Sequence, residues 1–218
     1  MSYQNDLSEA WNNEALQYDV KLNGNSIFNY MRQQSLVELK NNFQNCGKIL
    51  ELGCGTGDES IELAKQGINV YSIDISKEMI SLATIKSENL GLDKNCTFKV
   101  LPIEEIDSIK EKFDGAFSSF GPLNCIDDME IFAKNISKLI NKGGIFIASV
   151  MNKYCIAEVL NYTIRLQFKR AFRRFGKQPK TISLNDNSIS FKCFYYSFKK
   201  FYKYFKSDFE LINIIALP

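Results

Sequence analysis

The chain has 218 residues, 45% of them hydrophobic and 24% charged, with a formal net charge of +2. That suffices for one well-buried domain of ordinary globular composition and is cramped for two. It contains no histidine, which excludes a Ser-His-Asp triad, a Cys-His pair and every histidine-dependent metal site.

Residues 1–45 read as helices on a polar background, with Leu36, Val37 and Leu39 as apolar positions near their end. Lys48 to Leu52 is a short apolar run closed by glycines, the pattern of a buried strand. Asp58 to Gln66 has helical spacing and stops at Gly67, a predicted C-cap. Ile68 to Ile73 is the next strand, after which Ser76 caps a helix that runs toward Gly91. Cys96 to Leu101 and Phe113 to Ser119 read as strands and Asp127 to Leu139 as a helix. Gly143-Gly144 reads as a turn into a strong strand, Ile145 to Val150. Beyond Val150 the reading is one long helix or two short ones over Ile156 to Phe175. It continues with a strand from Ser188 to Ser197, a helix from Phe198 to Phe205 and a last strand from Phe209 to Leu217. Strands alternating with helices predict a parallel sheet wrapped by helices.

The chemistry-bearing stretch is Glu51-Leu-Gly-Cys-Gly-Thr-Gly57. Glycines between a strand and a helix let a backbone approach a ligand where any Cβ would clash. Asp74 closes the following strand, where a carboxylate can accept both ribose hydroxyls of an adenosine. A dinucleotide loop would need glycine at position 58, which is Asp58 here. A pyrophosphate would also be repelled by Glu51 and Asp58 beside the helix N-terminus. Spacing and charge together favour a cationic sulfonium ligand, S-adenosylmethionine, over NAD.

From Ile49 to Val150 the chain resembles the class I S-adenosylmethionine-dependent methyltransferases. Ile49 to Gly57 is similar to that family's first motif and Val70 to Met79 to its second. Phe113 to Asn124 resembles its fourth-strand motif and Leu139 to Ile147 its turn into the fifth strand. The resemblance implies an α/β, Rossmann-like, doubly wound, seven-stranded, mostly parallel sheet with helices on both faces and an N-terminal helical lid. It implies one domain over 1–218, with a lid at 1–45, a cofactor-binding core at 46–150 and basic acceptor-side helices plus the last two strands at 151–218. The implied cofactor is S-adenosyl-L-methionine, leaving S-adenosyl-L-homocysteine as product. Its expected contacts are Glu51, Gly53, Cys54, Gly55, Thr56, Gly57, Asp74, Ile75, Met79, Ser118 and Phe120, with Tyr18 and Arg32 from the lid. The family often carries an acid followed by a small residue after the third strand. Here Pro102 offers no acceptor, so adenine recognition falls to the Ile103 backbone, Glu104 or their neighbours. No catalytic residue is assigned; Tyr18, Asp19 and Asp127 are candidate bases, more readily read as structural. Cys54 and Cys125 read as small buried apolar residues.

Charge divides the chain. Residues 1–150 carry 14 Lys/Arg against 21 Asp/Glu, and residues 151–218 carry 13 against 4. In the basic part, Leu160, Ile164, Phe168, Phe172 and Phe175 share a helical stripe among Arg165, Lys169, Arg170, Arg173 and Arg174. The plainer reading is a lid helix packing that stripe on the core; contact with an anionic membrane or lipid-like substrate comes next. Nine aromatics crowd Phe191 to Phe205 and read as buried rings before a nucleic-acid stacking platform. The expected activity is methyl transfer to a small apolar or anionic acceptor, with nucleic acid a disfavoured partner. The alternatives are an RNA or protein methyltransferase and a non-catalytic S-adenosylmethionine-binding protein. The polar N-terminus, six scattered cysteines and lack of a long apolar run point to the cytoplasm.

Overall fold

The computed structural model describes residues 3–176, 179–184 and 189–217. Two helices open it, α1 (Tyr3–Asn23) and α2 (Ser26–Phe43). The turn between them is set by Asn25, whose side chain caps α2 by accepting the Phe28 N–H at 3.0 Å. The central sheet is built from β1 (Lys48–Leu52), β2 (Asn69–Asp74), β3 (Cys96–Val100), β4 (Phe113–Ser118) and β5 (Ile140–Ala148). All its pairs are parallel and the order is β3-β2-β1-β4-β5. The helices α3 (Asp58–Ala64), α4 (Lys77–Asn89) and α5 (Met129–Leu139) make the crossovers. As expected, Ser76 caps α4, its hydroxyl accepting the Met79 N–H at 3.1 Å.

The period-two alternation of a strand sorts the core onto two faces. Ile49 meets Leu39, Phe43 and Leu63 on one side. Leu50 and Leu52 join Phe132, Ile136 and Phe205 on the other. Each such fully buried side chain contributes on the order of 1.5–3 kcal/mol. Because β1 lies between β2 and β4, the chain winds outward one way and then returns to wind the other way. The carboxyl ends of β1 and β4 therefore flank the switch point, where this topology leaves a crevice.

Three expectations are corrected. The sheet has five strands among the described residues, not seven: β6 (Lys180–Leu184) and β7 (Ile189–Cys193) pair antiparallel with each other as a separate hairpin. Ser188, the start of the expected strand, lies outside the described residues. Residues 209–217 form no strand; their β-branched run has the propensity but no ladder partner. Second, β5 starts at Ile140, so Gly143-Gly144 lies inside it. The register shifts from Phe113–Ile140 to Gly115–Ile145, and Gly143 at φ 81° takes up the bulge. Third, the stretch after β5 takes one of its two expected forms, the short helices α6 (Ile156–Ile164) and α7 (Phe168–Ala171) broken at Leu166 with φ 57°, but not the expected packing. Its apolar stripe does not pack on the core: α6 buries none of its residues. The last helix, α8 (Phe198–Phe205), forms where expected.

Candidate functional site

The loop after β1 takes a path that only glycine follows easily. Gly53, Gly55 and Gly57 have φ of 74°, 52° and 78°, all in the left-handed region that a Cβ disfavours. Sterics add a second reason. A Cβ on Gly53 would strike the Pro122 ring, and one on Gly57 would sit 2.8 Å from Ala83 and 2.9 Å from Phe98. At Gly55 the neighbour is different: a Cβ would come within 3.5 Å of the Tyr18 ring of α1.

Asp74 faces this loop from the end of β2. Its carboxylate accepts the Gly55 N–H at 2.8 Å and the Ser76 N–H at 2.9 Å. Burial raises its pKa, while the amides pull the other way. The result is a buried acid tied to the glycine loop from the neighbouring strand, beside the switch point.

α1 lies over this edge and is fastened along its length. The Tyr3 hydroxyl donates to the carbonyls of Cys125 (2.9 Å) and Lys192 (3.0 Å), and Ser8 to that of Ile75 at 3.1 Å. Ser76 donates to the Asn12 side chain at 2.7 Å, and Thr56 to Asp19 at 2.6 Å. Charges lock the four helices together. Lys86 bridges Asp19 and Asp58, and Arg32 holds Asp58 at 2.9 Å and Glu59 at 2.8 Å. Tyr18 of α1 is half-buried; desolvation and then Glu59 drive its phenol well above the usual range.

Glu51 sits beneath the loop rather than on its open side. It accepts hydrogen bonds from Ser60 of α3 and Ser72 of β2. Burial, then the nearby Glu59, pushes its pKa well above the carboxylate range. Thr56 and Met79 are buried, as is Cys54, whose thiol burial pushes up. Ile75 is half-buried against the cluster of Leu7, Ala10, Cys125 and Phe191. Ile103 lies near Gly53, and Glu104 beside it meets Gln4 of α1. Ser118, at the end of β4, donates to the Leu52 carbonyl at 2.9 Å. Phe120 holds a left-handed φ of 59° and packs its ring 4.8 Å from Phe28 of α2.

A family model described as a methyltransferase domain matches residues 44–195. The chain belongs to the class I S-adenosylmethionine-dependent methyltransferases. It is similar to the ubiquinone/menaquinone biosynthesis C-methyltransferase UbiE of Citrifermentans bemidjiense. The two are 35% identical over 104 residues, 46% of this chain and 44% of that protein. An uncharacterized protein of Methanocaldococcus jannaschii is 28% identical over 94% of this chain and 77% of its own length. The chain spans less than half the length of UbiE. Among solved structures, the DhpI–SAH complex superposes with a TM-score of 0.63 at 20% identity, covering 94% of this chain and 86% of that one. That likeness is one of fold.

The chain also holds residues to which the sequence reading gave no role, Asn124 at the end of the fourth-strand motif among them. Asn124 is fully buried; its amide donates to the carbonyls of Met151 (3.3 Å) and Phe194 (2.5 Å), and its oxygen accepts the Met151 N–H at 2.8 Å. It ties the end of β4 to the chain beyond β5 and beyond β7. Lys86, Ser8 and Asn12 were equally silent. Their signal lay only in polar residues recurring on helices whose partners are far away in sequence. Arg32 was expected to contact the cofactor, and the structure pairs it with Asp58 and Glu59. Asp127 makes an exposed pair with Lys192 at 3.3 Å.

Proposed function

We propose that this chain binds S-adenosyl-L-methionine at the carboxyl edge and methylates a small, apolar or anionic acceptor. The observation that carries the reading is the union of three left-handed glycines with one buried carboxylate, Asp74, beside the switch point. The donor set fits the ligand: Gly55 offers backbone with no side chain beneath the Tyr18 ring, and the surrounding acids suit a sulfonium and an ammonium. On this reading Gly53, Gly55, Gly57, Cys54 and Thr56 hold the methionine side and Asp74 the ribose. Ile75, Met79, Ile103 and Glu104 border the adenine, and Ser118 and Phe120 face the reacting end, with Glu51 supporting the loop from below. When bound, the cofactor supplies an activated methyl group for in-line displacement.

What the chain's own residues contribute is alignment and dryness. Tyr18 is a poor base, because its surroundings keep the phenol protonated. Asp19 is desolvated, yet hydrogen bonds from Lys86 and Thr56 hold it below the usual range, which leaves it weakly basic. An acceptor that needs little help losing a proton suits this site best. UbiE is named for a quinone pathway, and the basic residues of 151–218 suit an anionic or lipid-like acceptor. Phe201, Phe205 and Tyr204 pack into the core, which removes the stacking platform an RNA acceptor would use. We place residues 1–218 in one unit with 1–45 as its lid, and its six free thiols suit a reducing cytoplasm.

Titration calorimetry with S-adenosylmethionine and S-adenosylhomocysteine tests the core of the proposal. The wild-type chain should bind both, and Asp74→Ala should weaken each at least about tenfold, the equivalent of about 1.4 kcal/mol. No heat from the wild type at saturating ligand defeats the reading.

A further inference from the structure

The stretch after β5 leaves an apolar face uncovered. Ile156, Leu160 and Ile164 stand four residues apart on α6 and so share one side of the helix. They are 75%, 57% and 80% exposed. Past the break, Leu166, Phe168 and Phe172 are exposed as well. A soluble chain rarely leaves such a patch bare unless something docks there. The surrounding charge has one sign. Glu158 is the one acid of residues 156–176, and Arg173 (2.5 Å) and Arg174 occupy it. Arg165, Lys169 and Arg170 are exposed and have no carboxylate partner among the described residues. No described helix is long and apolar enough to cross a membrane.

We propose that this face docks the protein onto the surface of an anionic lipid membrane. Ile156, Leu160, Ile164 and Leu166 enter the headgroup boundary, and Arg165, Lys169 and Arg170 meet the lipid phosphates. Charge selects this occupant. A second copy of the chain would set like charges against each other across the contact. A nucleic acid would satisfy the cations but leave the aliphatic side chains without a partner, since they offer no ring for a base to stack on. The patch follows directly from the carboxyl end of β5, the sheet edge that also carries the glycine loop. Docking there would bring that edge toward the lipid. The docking stands apart from the methyl-transfer reading, and either can fail while the other holds.

Co-sedimentation of the full chain with vesicles tests it, using phosphatidylcholine alone and phosphatidylcholine mixed with phosphatidylglycerol at ~0.1 M salt. The wild type should pellet with the mixed vesicles only, and added salt should release it. Arg165→Gln/Lys169→Gln/Arg170→Gln should bind them on the order of 100-fold more weakly. Leu160→Ser/Ile164→Ser should lose about 10- to 100-fold. All five substituted side chains are exposed enough for far-ultraviolet circular dichroism and S-adenosylhomocysteine binding to stay as in the wild type. The proposal is overturned if the wild type ignores the mixed vesicles, or if neither variant changes its binding. Self-association abolished by Leu160→Ser/Ile164→Ser, or tighter binding to an oligonucleotide that the serine variant retains, overturns it too.

Discussion

Gly57 and Gly67 share a backbone conformation and differ in what surrounds them. Both have left-handed φ, 78° and 84°, but a Cβ on Gly57 would collide with Ala83 and Phe98, whereas nothing lies within 4 Å at Gly67. Gly67→Ala should therefore cost only the conformational penalty, about 1 kcal/mol. Gly57→Ala adds overpacking and should cost about 2–4 kcal/mol, read as the difference between the two midpoints in urea. Glu51 makes a pH prediction. In the unfolded chain it ionises near its ordinary value of 4.5, while the folded chain keeps its proton to a higher pH. The folded state then binds more protons, so stability that is full below that value is lost as pH rises through the folded pKa. Glu51→Gln should remove this loss, and its melting temperature relative to the wild type should rise from pH 5 to pH 8. A constant difference across that range contradicts the buried protonated acid. The glycine requirement was legible in the sequence because a local backbone demand leaves a local mark. The partners of Glu51 were not, because Ser60 and Ser72 meet it only once β1, β2 and α3 are packed.

Among the helices, the ladder of Asp19, Lys86, Asp58, Arg32 and Glu59 couples α1 and α2 to α3 and α4. The Arg32–Glu59 pair is its most buried rung, with side chains 14% and 5% exposed. Arg32→Met strands a buried carboxylate and should cost about 3 kcal/mol in urea unfolding. Arg32→Met/Glu59→Gln should recover most of that loss, since it removes the stranded charge with the pair. Helices and strands up to α5 followed the periodicity closely, and Ser76 caps α4 as read; Asn25 and Asp128 are caps of the same local chemistry that the sequence reading did not single out. The C-terminal third was less legible. Apolar runs there announce strands, but a strand is completed by a neighbour, and whether β7 pairs with β5 or with β6 is decided by long-range packing. The helical stripe of Leu160 to Phe175 likewise assumed one axis, which Leu166 interrupts.

For the whole molecule, ligand and lid are expected to act together. On the proposed reading, S-adenosylhomocysteine at 100 times its Kd stabilises the folded chain by about 2.7 kcal/mol. For a chain of this size that is a rise in melting temperature of roughly 5–10 °C, measurable by differential scanning fluorimetry. Asp74→Ala should show little rise at the same concentration. The way α1 is fastened also bears on how the protein is made. Its first described residue, Tyr3, bonds to the carbonyl of Lys192, 189 positions later. During synthesis at about 5–20 residues per second, α1 meets Thr56, Ile75 and Ser76 early, but the tie from Tyr3 waits until Lys192 is made. Its partners Ile75, Thr56 and Cys125 belong to elements that assemble around β1 in the meantime. Loop closure over such a span is slow. The tie to Lys192 is thus the last to form, and a nascent chain arrested before residue 192 has its sheet and a strap that lacks its final fastening.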